Sequence, residues 1–163
     1  MVFTNNVLVL LAGACQPNNP GVKSTSNDMV DINGIVFAVQ LYSASSLNNL
    51  NVSARSEQGQ IGKGTTPAFR TDLNIETPFT NGGQEDNRVT SVPAFYIPAT
   101  ELIELITTIP TSGSGTITEV CKFVIINDNT GVDRVIMISR DIISPGIDFV
   151  SGQNVNMLQE VST

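Results

Sequence analysis

Three consecutive segments decide what kind of protein this is: "TITEVCKFVII" (116–126), "NDNTG" (127–131) and "VDRVIMISR" (132–140). Two runs dense in β-branched residues flank five residues that favour tight turns, which is the pattern of a β-hairpin. Side chains alternate across a strand, so the second arm is expected to turn Val135 and Met137 one way. Arg134, Ile136, Ile138 and Arg140 then point the other way. The turn groups Asn127, Asp128, Asn129 and Asp133, all hard oxygen donors of the kind calcium selects. The spacing misses that of a helix–loop–helix calcium loop because Gly131 stands one place early. Asn and Asp are also what a hairpin loop prefers for conformational reasons alone. No metal is assigned here or elsewhere in the chain.

Upstream of the hairpin, "TSGSG" (111–115) is a hinge-like connection. Before it, "TELIELITTI" (100–109) is bracketed by Pro98 and Pro110. Thr100 can cap a helix there, Glu101 and Glu104 suit its positive end, and Leu102, Ile103, Leu105, Ile106 and Ile109 form a broad apolar stripe. One short α-helix near 100–109 is expected. "RVTSVPAFYI" (88–97) predicts a strand that Pro93 confines to an edge or a bulge. "TPFTNGGQEDN" (77–87) is a turn, and "AFRTDLNIE" (68–76) alternates as a strand would. "SEQGQIGKGTTP" (56–67) looks like a flexible glycine connection, and "NLNVSAR" (49–55) like a weak strand. "GIVFAVQLY" (34–42) is a strong strand, and 16–33 a polar loop. Downstream, "SPG" (144–146) is expected to turn the chain before a further short strand, and the tail "QNVNMLQEVST" (153–163) to add a last pairing.

The opening "NVLVLLAGACQP" (6–17) admits two interpretations. An export leader needs a positive segment before its apolar one, but "MVFTNN" has no Lys or Arg, and Lys23 is the first cation of the chain. A lipoprotein signal prefers Leu three places before the cysteine, where Ala12 stands. A buried strand or arm over 2–12, closed by the Gly, Pro and Asn of the following loop, is the favoured expectation. Such an uncharged β-prone run is an aggregation hazard unless its own chain or a neighbour covers it.

These elements predict a mainly β chain: one domain over 1–163, an antiparallel sandwich or barrel of jelly-roll or immunoglobulin-like kind. A chain of 163 residues is long enough to bury a core without metal or disulfide staples. Its two cysteines, Cys15 and Cys121, define no disulfide framework and are expected to be free and buried. Charged residues make up 14% of the chain, well under the usual quarter, and Asn, Ser, Thr and Gly replace them. The net charge of −7 with no cluster of Lys and Arg disfavours nucleic acid and anionic membrane as partners.

The chain contains no histidine. That removes Ser–His and Cys–His nucleophilic pairs, the usual zinc sites and the commonest base near neutral pH. "GQIGKGTT" (59–66) falls short of a phosphate loop, since Gly64 follows Lys63 and Gly59 lies only three before Gly62. Glu85 with Asp86, or Glu101 with Glu104, could serve a glycosidase, but a chain without Trp and with two Tyr is poor stock for a sugar cleft. No motif supports a Ser–Lys pair with Lys23, Lys63 or Lys122, and the sequon at Asn51 matters only on a eukaryotic secretory route. No catalytic, cofactor-binding or metal residue is assigned. The expectation is a non-enzymatic structural subunit of a virion (capsid coat, decoration or tail protein) whose partners are copies of itself and other subunits. The alternative is an exported binding domain on a bacterial surface, lipid-anchored at Cys15.

Overall fold

The computed structural model describes residues 2–8, 27–39, 57–79, 89–90, 95–97, 102–111, 113–128, 130 and 132–162. The chain is mainly β, with antiparallel pairing throughout these residues. Its strands are β1 (Val2–Phe3), β2 (Asn27–Val30), β3 (Val36–Val39), β4 (Glu57–Gly62), β5 (Val89–Thr90), β6 (Phe95–Ile97), β7 (Leu102–Pro110), β8 (Gly115–Asn127), β9 (Asp133–Phe149) and β10 (Asn154–Ser162). They form a sheet in the order β1-β9-β8-β4-β5, a second in the order β10-β7-β6, and the pair β2-β3.

The hairpin of residues 116–140 is the centre of the larger sheet, as β8 and β9. The register slips by one residue between the pairs Lys122–Ser139 and Phe123–Met137, so Ile138 has no opposite number on β8. Such a bulge reverses the facing of every residue beyond it. Strict alternation groups Arg140 with Ile136; in the structure Arg140 stands opposite Cys121 and shares the face of Phe123 and Met137. A second irregularity sets residues 143–146 against Thr118 alone. The "SPG" triplet therefore does not end the strand, and β9 continues to Phe149.

Each face of β8–β9 is covered by different material. On one face Met29 and Phe37 of the β2–β3 pair pack on Ile126 and Ile136, with Val124 and Ile138 against them. Farther along the sheets, Ile109 of β7 and Val155 of β10 meet Ile61, Val120, Ile117 and Phe149, so the three-stranded sheet lies over the larger one. Phe79 closes that cluster edge-on to Phe149, with ring centres 5.1 Å apart. On the opposite face Ile75 covers Cys121, Phe123 and Met137.

Several expectations are corrected. Residues 102–110 are strand β7, in place of the helix expected at 100–109. Ile103, Ile106, Thr107, Thr108 and Ile109 are β-branched and stiff at χ1, and β7 is paired on both sides, by β10 and β6. Ten residues of helix cannot match that ladder. The 56–67 connection contains β4, hydrogen-bonded to both β8 and β5. Its polarity hid it: Gln58 and Gln60 carry buried Oε1 atoms that accept no hydrogen bond among the described residues. Residues 68–76, expected to alternate as a strand, are irregular. Within the polar loop expected at 16–33, Asn27–Val30 form β2, and 16–26 lie outside the described residues, as does 49–55.

The arm expected as strand over 2–12 is strand only at Val2–Phe3; residues 5–8 are helical, and 9–12 lie outside the described residues. The chain turns off β9 there because its side chains take over the pairing. Thr4 N–H donates to the Ile138 carbonyl at 3.0 Å and its hydroxyl to the Met137 carbonyl at 2.6 Å, which satisfies the backbone at the bulge. The Asn6 amide pairs with both backbone groups of Val30, at 2.9 and 3.1 Å, as a peptide of an adjoining strand would. Replacing Thr4 by Val keeps the shape and removes the hydroxyl, so the buried Met137 carbonyl loses its short bond. Denaturant unfolding should show a loss of about 1–2 kcal/mol; an unchanged midpoint would refute the role given to Thr4.

Candidate functional site

The bulge at Ile138 delivers Arg140 into the polar centre of the molecule. Arg140 is 3% exposed, and Glu119, two positions from the opposing Cys121, is fully buried. The Arg140 Nε–H donates to Glu119 Oε1 at 2.6 Å. Its Nη1 reaches Asp72 at 2.8 Å and the Pro67 carbonyl at 3.4 Å, and its Nη2 reaches Glu76 at 3.1 Å. One guanidinium thus holds three carboxylates, from β8 and from the irregular segment 63–79.

Three acids against one arginine would repel without further donors, and the backbone supplies them. Glu119 accepts from the N–H groups of Gly64, Glu76 and Thr77 at 3.1, 2.8 and 3.3 Å. Glu76 accepts from Thr65 and Thr66 N–H at 3.1 and 3.0 Å and from the Thr66 hydroxyl at 2.7 Å. Asp72 accepts from Phe69 N–H at 2.8 Å. The Thr66 hydroxyl and backbone bonds hold the Glu76 carboxyl below its usual range. Burial opposes the charge on Arg140, but the bonds to Asp72 and Glu119 outweigh it and raise its pKa. The same burial pushes the free Cys121 thiol well up, and the neighbouring Glu119 charge adds to this; that cysteine is a poor nucleophile.

The "GQIGKGTT" stretch acquires its meaning here. The N–H groups of Gly64, Thr65 and Thr66 cradle anions, as a phosphate loop would, but the anions are the chain's own Glu119 and Glu76. A Cβ at Gly64 would run into both carboxylates.

The hairpin turn with calcium-like donors is likewise occupied by internal bonds. Asp128 Oδ1 accepts from Thr130 N–H, the Thr130 hydroxyl and Val132 N–H at 2.9, 2.6 and 3.0 Å, and Oδ2 accepts from Arg134 Nε–H at 3.0 Å. These bonds, the Thr130 hydroxyl first, hold its carboxyl well below the usual range. Asp31 repeats the arrangement at the β2–β3 turn, with Oδ1 accepting from Asn33 and Ile35 N–H and Oδ2 facing Arg134 at 3.4 Å. The two turns share a D-x-x-G-[IV] pattern, "DINGI" (31–35) and "DNTGV" (128–132), and Arg134 ties them together over the Phe37 ring. Asp133 is exposed on β9. Among the described residues no cluster of three or more Cys, Asp or Glu is placed to hold a metal ion.

Of the other residues considered for chemistry, Cys15, Lys23, Asn51, Glu85, Asp86 and Glu101 lie outside the described residues, as do the side chains of Asn127 and Asn129. Glu104 stands opposite Phe95 and Glu160 in the register of the smaller sheet. Lys63 is exposed, and Lys122 is fully buried in β8. A shallow cavity of about 230 Å³ lies between the amino-terminal arm and the 70–73 loop, lined by Thr4, Asn6, Val30, Arg70, Asp72 and Leu73 among others. Thr4, Asn6 and Asp72 of this lining also make the bonds already described. Among the described residues no helix is long and apolar enough to cross a membrane.

Two outcomes follow. Arg140→Met leaves Glu119 buried and uncompensated, so unfolding experiments should show a loss of about 3–5 kcal/mol. Restoring a neutral partner with Glu119→Gln in the same chain should recover part of it, and additive losses would refute the pairing. Glu76 and Asp128 are held below their unfolded values, so their contribution is complete above about pH 4.5 and is lost as the pH falls through their native values. Asp128→Asn should flatten the fall in melting temperature as the pH drops below about 4, and an unaltered slope would count against the account of that turn. The chain matches no protein-family model, no curated protein and no solved structure.

Proposed function

We propose that the protein is a non-enzymatic assembly subunit, a virion component of the capsid-coat, decoration or tail kind, that contacts copies of itself and other subunits through strand edges and its terminal arm. One observation carries this: five of the described acids are spent on holding loops to sheets. Asp31, Asp72, Glu76, Glu119 and Asp128 all face an arginine or backbone N–H groups of their own chain. A site for chemistry requires acids or bases converging on a vacant space with shifted pKa values, whereas here the lowered values of Glu76 and Asp128 arise from bonds that close turns. A charge-poor chain with long antiparallel strands suits a molecule that presents surfaces to its neighbours.

The alternative, an exported binding domain lipid-anchored at Cys15, leaves residues 1–14 no place in the mature fold. The bonds of Thr4 and Asn6 to β9 and β2 favour the first reading. Light scattering on the purified chain at micromolar concentration should give a mass of two or more copies, and electron microscopy ordered oligomers. A monodisperse monomer would overturn the proposal, and so would mass spectrometry of a mature protein beginning at a lipidated Cys15.

A further inference from the structure

Strand β10 forms one edge of the three-stranded sheet. Among the described residues nothing pairs with its outer side. Nine residues long, it carries in its sequence one of the usual protections of an edge: "NVNMLQEVS" (154–162) has a single charge, Glu160, and no Lys, no Pro and no Gly. Such an edge is a template for another strand.

The backbone fixes which residues offer it. Pro110 stands opposite Asn154 and has no N–H, so that pair cannot exchange hydrogen bonds. The Thr111 N–H donates to the Gln153 carbonyl at 3.0 Å, in step with this. Antiparallel ladders alternate bonded and unbonded pairs, so Val155, Met157, Gln159 and Val161 turn their N–H and C=O groups toward β7. Asn154, Asn156, Leu158, Glu160 and Ser162 turn theirs to the open edge.

The sequence of the edge nearly mirrors itself about Leu158. Laid antiparallel on its own copy with Leu158 opposite Leu158, Val155 meets Val161, Asn156 meets Glu160, Met157 meets Gln159 and Asn154 meets Ser162. No like charges are opposed, and all nine residues are paired. Moving the centre to Met157 sets Val155 against Gln159 and Asn156 against Leu158, and moving it to Glu160 opposes two carboxylates.

We propose that the partner of β10 is β10 of a second copy, paired antiparallel about a two-fold axis at Leu158, which joins two three-stranded sheets into one of six. The outward residues then exchange about ten backbone hydrogen bonds. This inference rests on the assembly reading and names the contact.

The test is cysteine cross-linking of the full chain carrying Cys15→Ser, with light scattering alongside. Leu158→Cys sets two sulfur-bearing residues about 5.5 Å apart between Cα atoms, within disulfide reach, and should yield a covalent dimer on mild oxidation. Asn154→Cys or Ser162→Cys alone places them about 27 Å apart at 3.4 Å per residue and should not, whereas a mixture of those two variants should cross-link to each other. Leu158→Pro removes an N–H that faces the open edge and leaves the β7 ladder intact. It should weaken dimerisation at least about tenfold with circular dichroism unchanged. Equal cross-linking at all three positions, none at Leu158, or a Leu158→Pro chain that dimerises as before would overturn the β10 contact. If the parent chain still assembles in those cases, only this contact fails; a monomeric parent chain overturns both proposals.

Discussion

A carboxylate placed in the middle of an apolar sheet must find its counter-charge inside the protein, and that requirement organises this molecule. Glu119 is fully buried in β8, and a charge in such a place is costly unless it is paired and hydrogen-bonded. Its nearest cation in the fold, Arg140, belongs by strict alternation to the other face of β9. The one-residue bulge at Ile138 turns it over. The bulge in turn leaves backbone groups that the ladder cannot satisfy, and Thr4 and Asn6 of the amino-terminal arm supply the missing partners. Arm, bulge and ion pair therefore depend on one another.

The same pair explains how segment 63–79 can be irregular and still part of the core. Residues 63–74 and 76 form no strand, so their backbone donors need partners from elsewhere. Glu119, Glu76 and Asp72 accept from six of the segment's N–H groups, and Arg140 neutralises the acceptors. A buried ion pair usually adds little net stability over an apolar replacement. What it fixes here is conformation: the loop must pass close enough to bring Gly64, Glu76 and Thr77 to one carboxylate, and Ile75 then falls onto Cys121 and Phe123.

The β class and the central hairpin are legible in the sequence because long β-branched runs around a turn leave few alternatives. The helix expected at 100–109 fails because its apolar positions fit either period, and what decides between them is non-local: partners on both sides of β7, from β6 and from a strand more than forty residues later. β4 is illegible for the opposite reason, having Gln where a core strand usually has Val. The polar centre escapes because no spacing rule connects residues 72, 76, 119 and 140. One signal is present: Glu119, Lys122 and Arg140 interrupt the apolar arms of the hairpin, and charges in strands buried on both faces must be answered within the fold. The repeated D-x-x-G-[IV] turn is a second signal, carried by the sequence itself when 31–35 and 128–132 are set side by side.

The two arginines also bear on function. Arg134 and Arg140 are two of only eight cations in the chain, and both are turned inward on acids. They answer five of the 15 acids, and the ten acids and six cations that remain still give the rest of the molecule an acidic excess, which favours solubility of the free chain and opposes indiscriminate stacking. An assembly protein needs that balance, because strand edges promiscuous enough to pair with anything lead to aggregates instead of defined oligomers. Specificity must then come from the register, and a strand that complements itself in one alignment supplies it without any charged lock. In that view Glu160 discriminates among alignments: it is tolerated opposite Asn156 and repelled opposite itself.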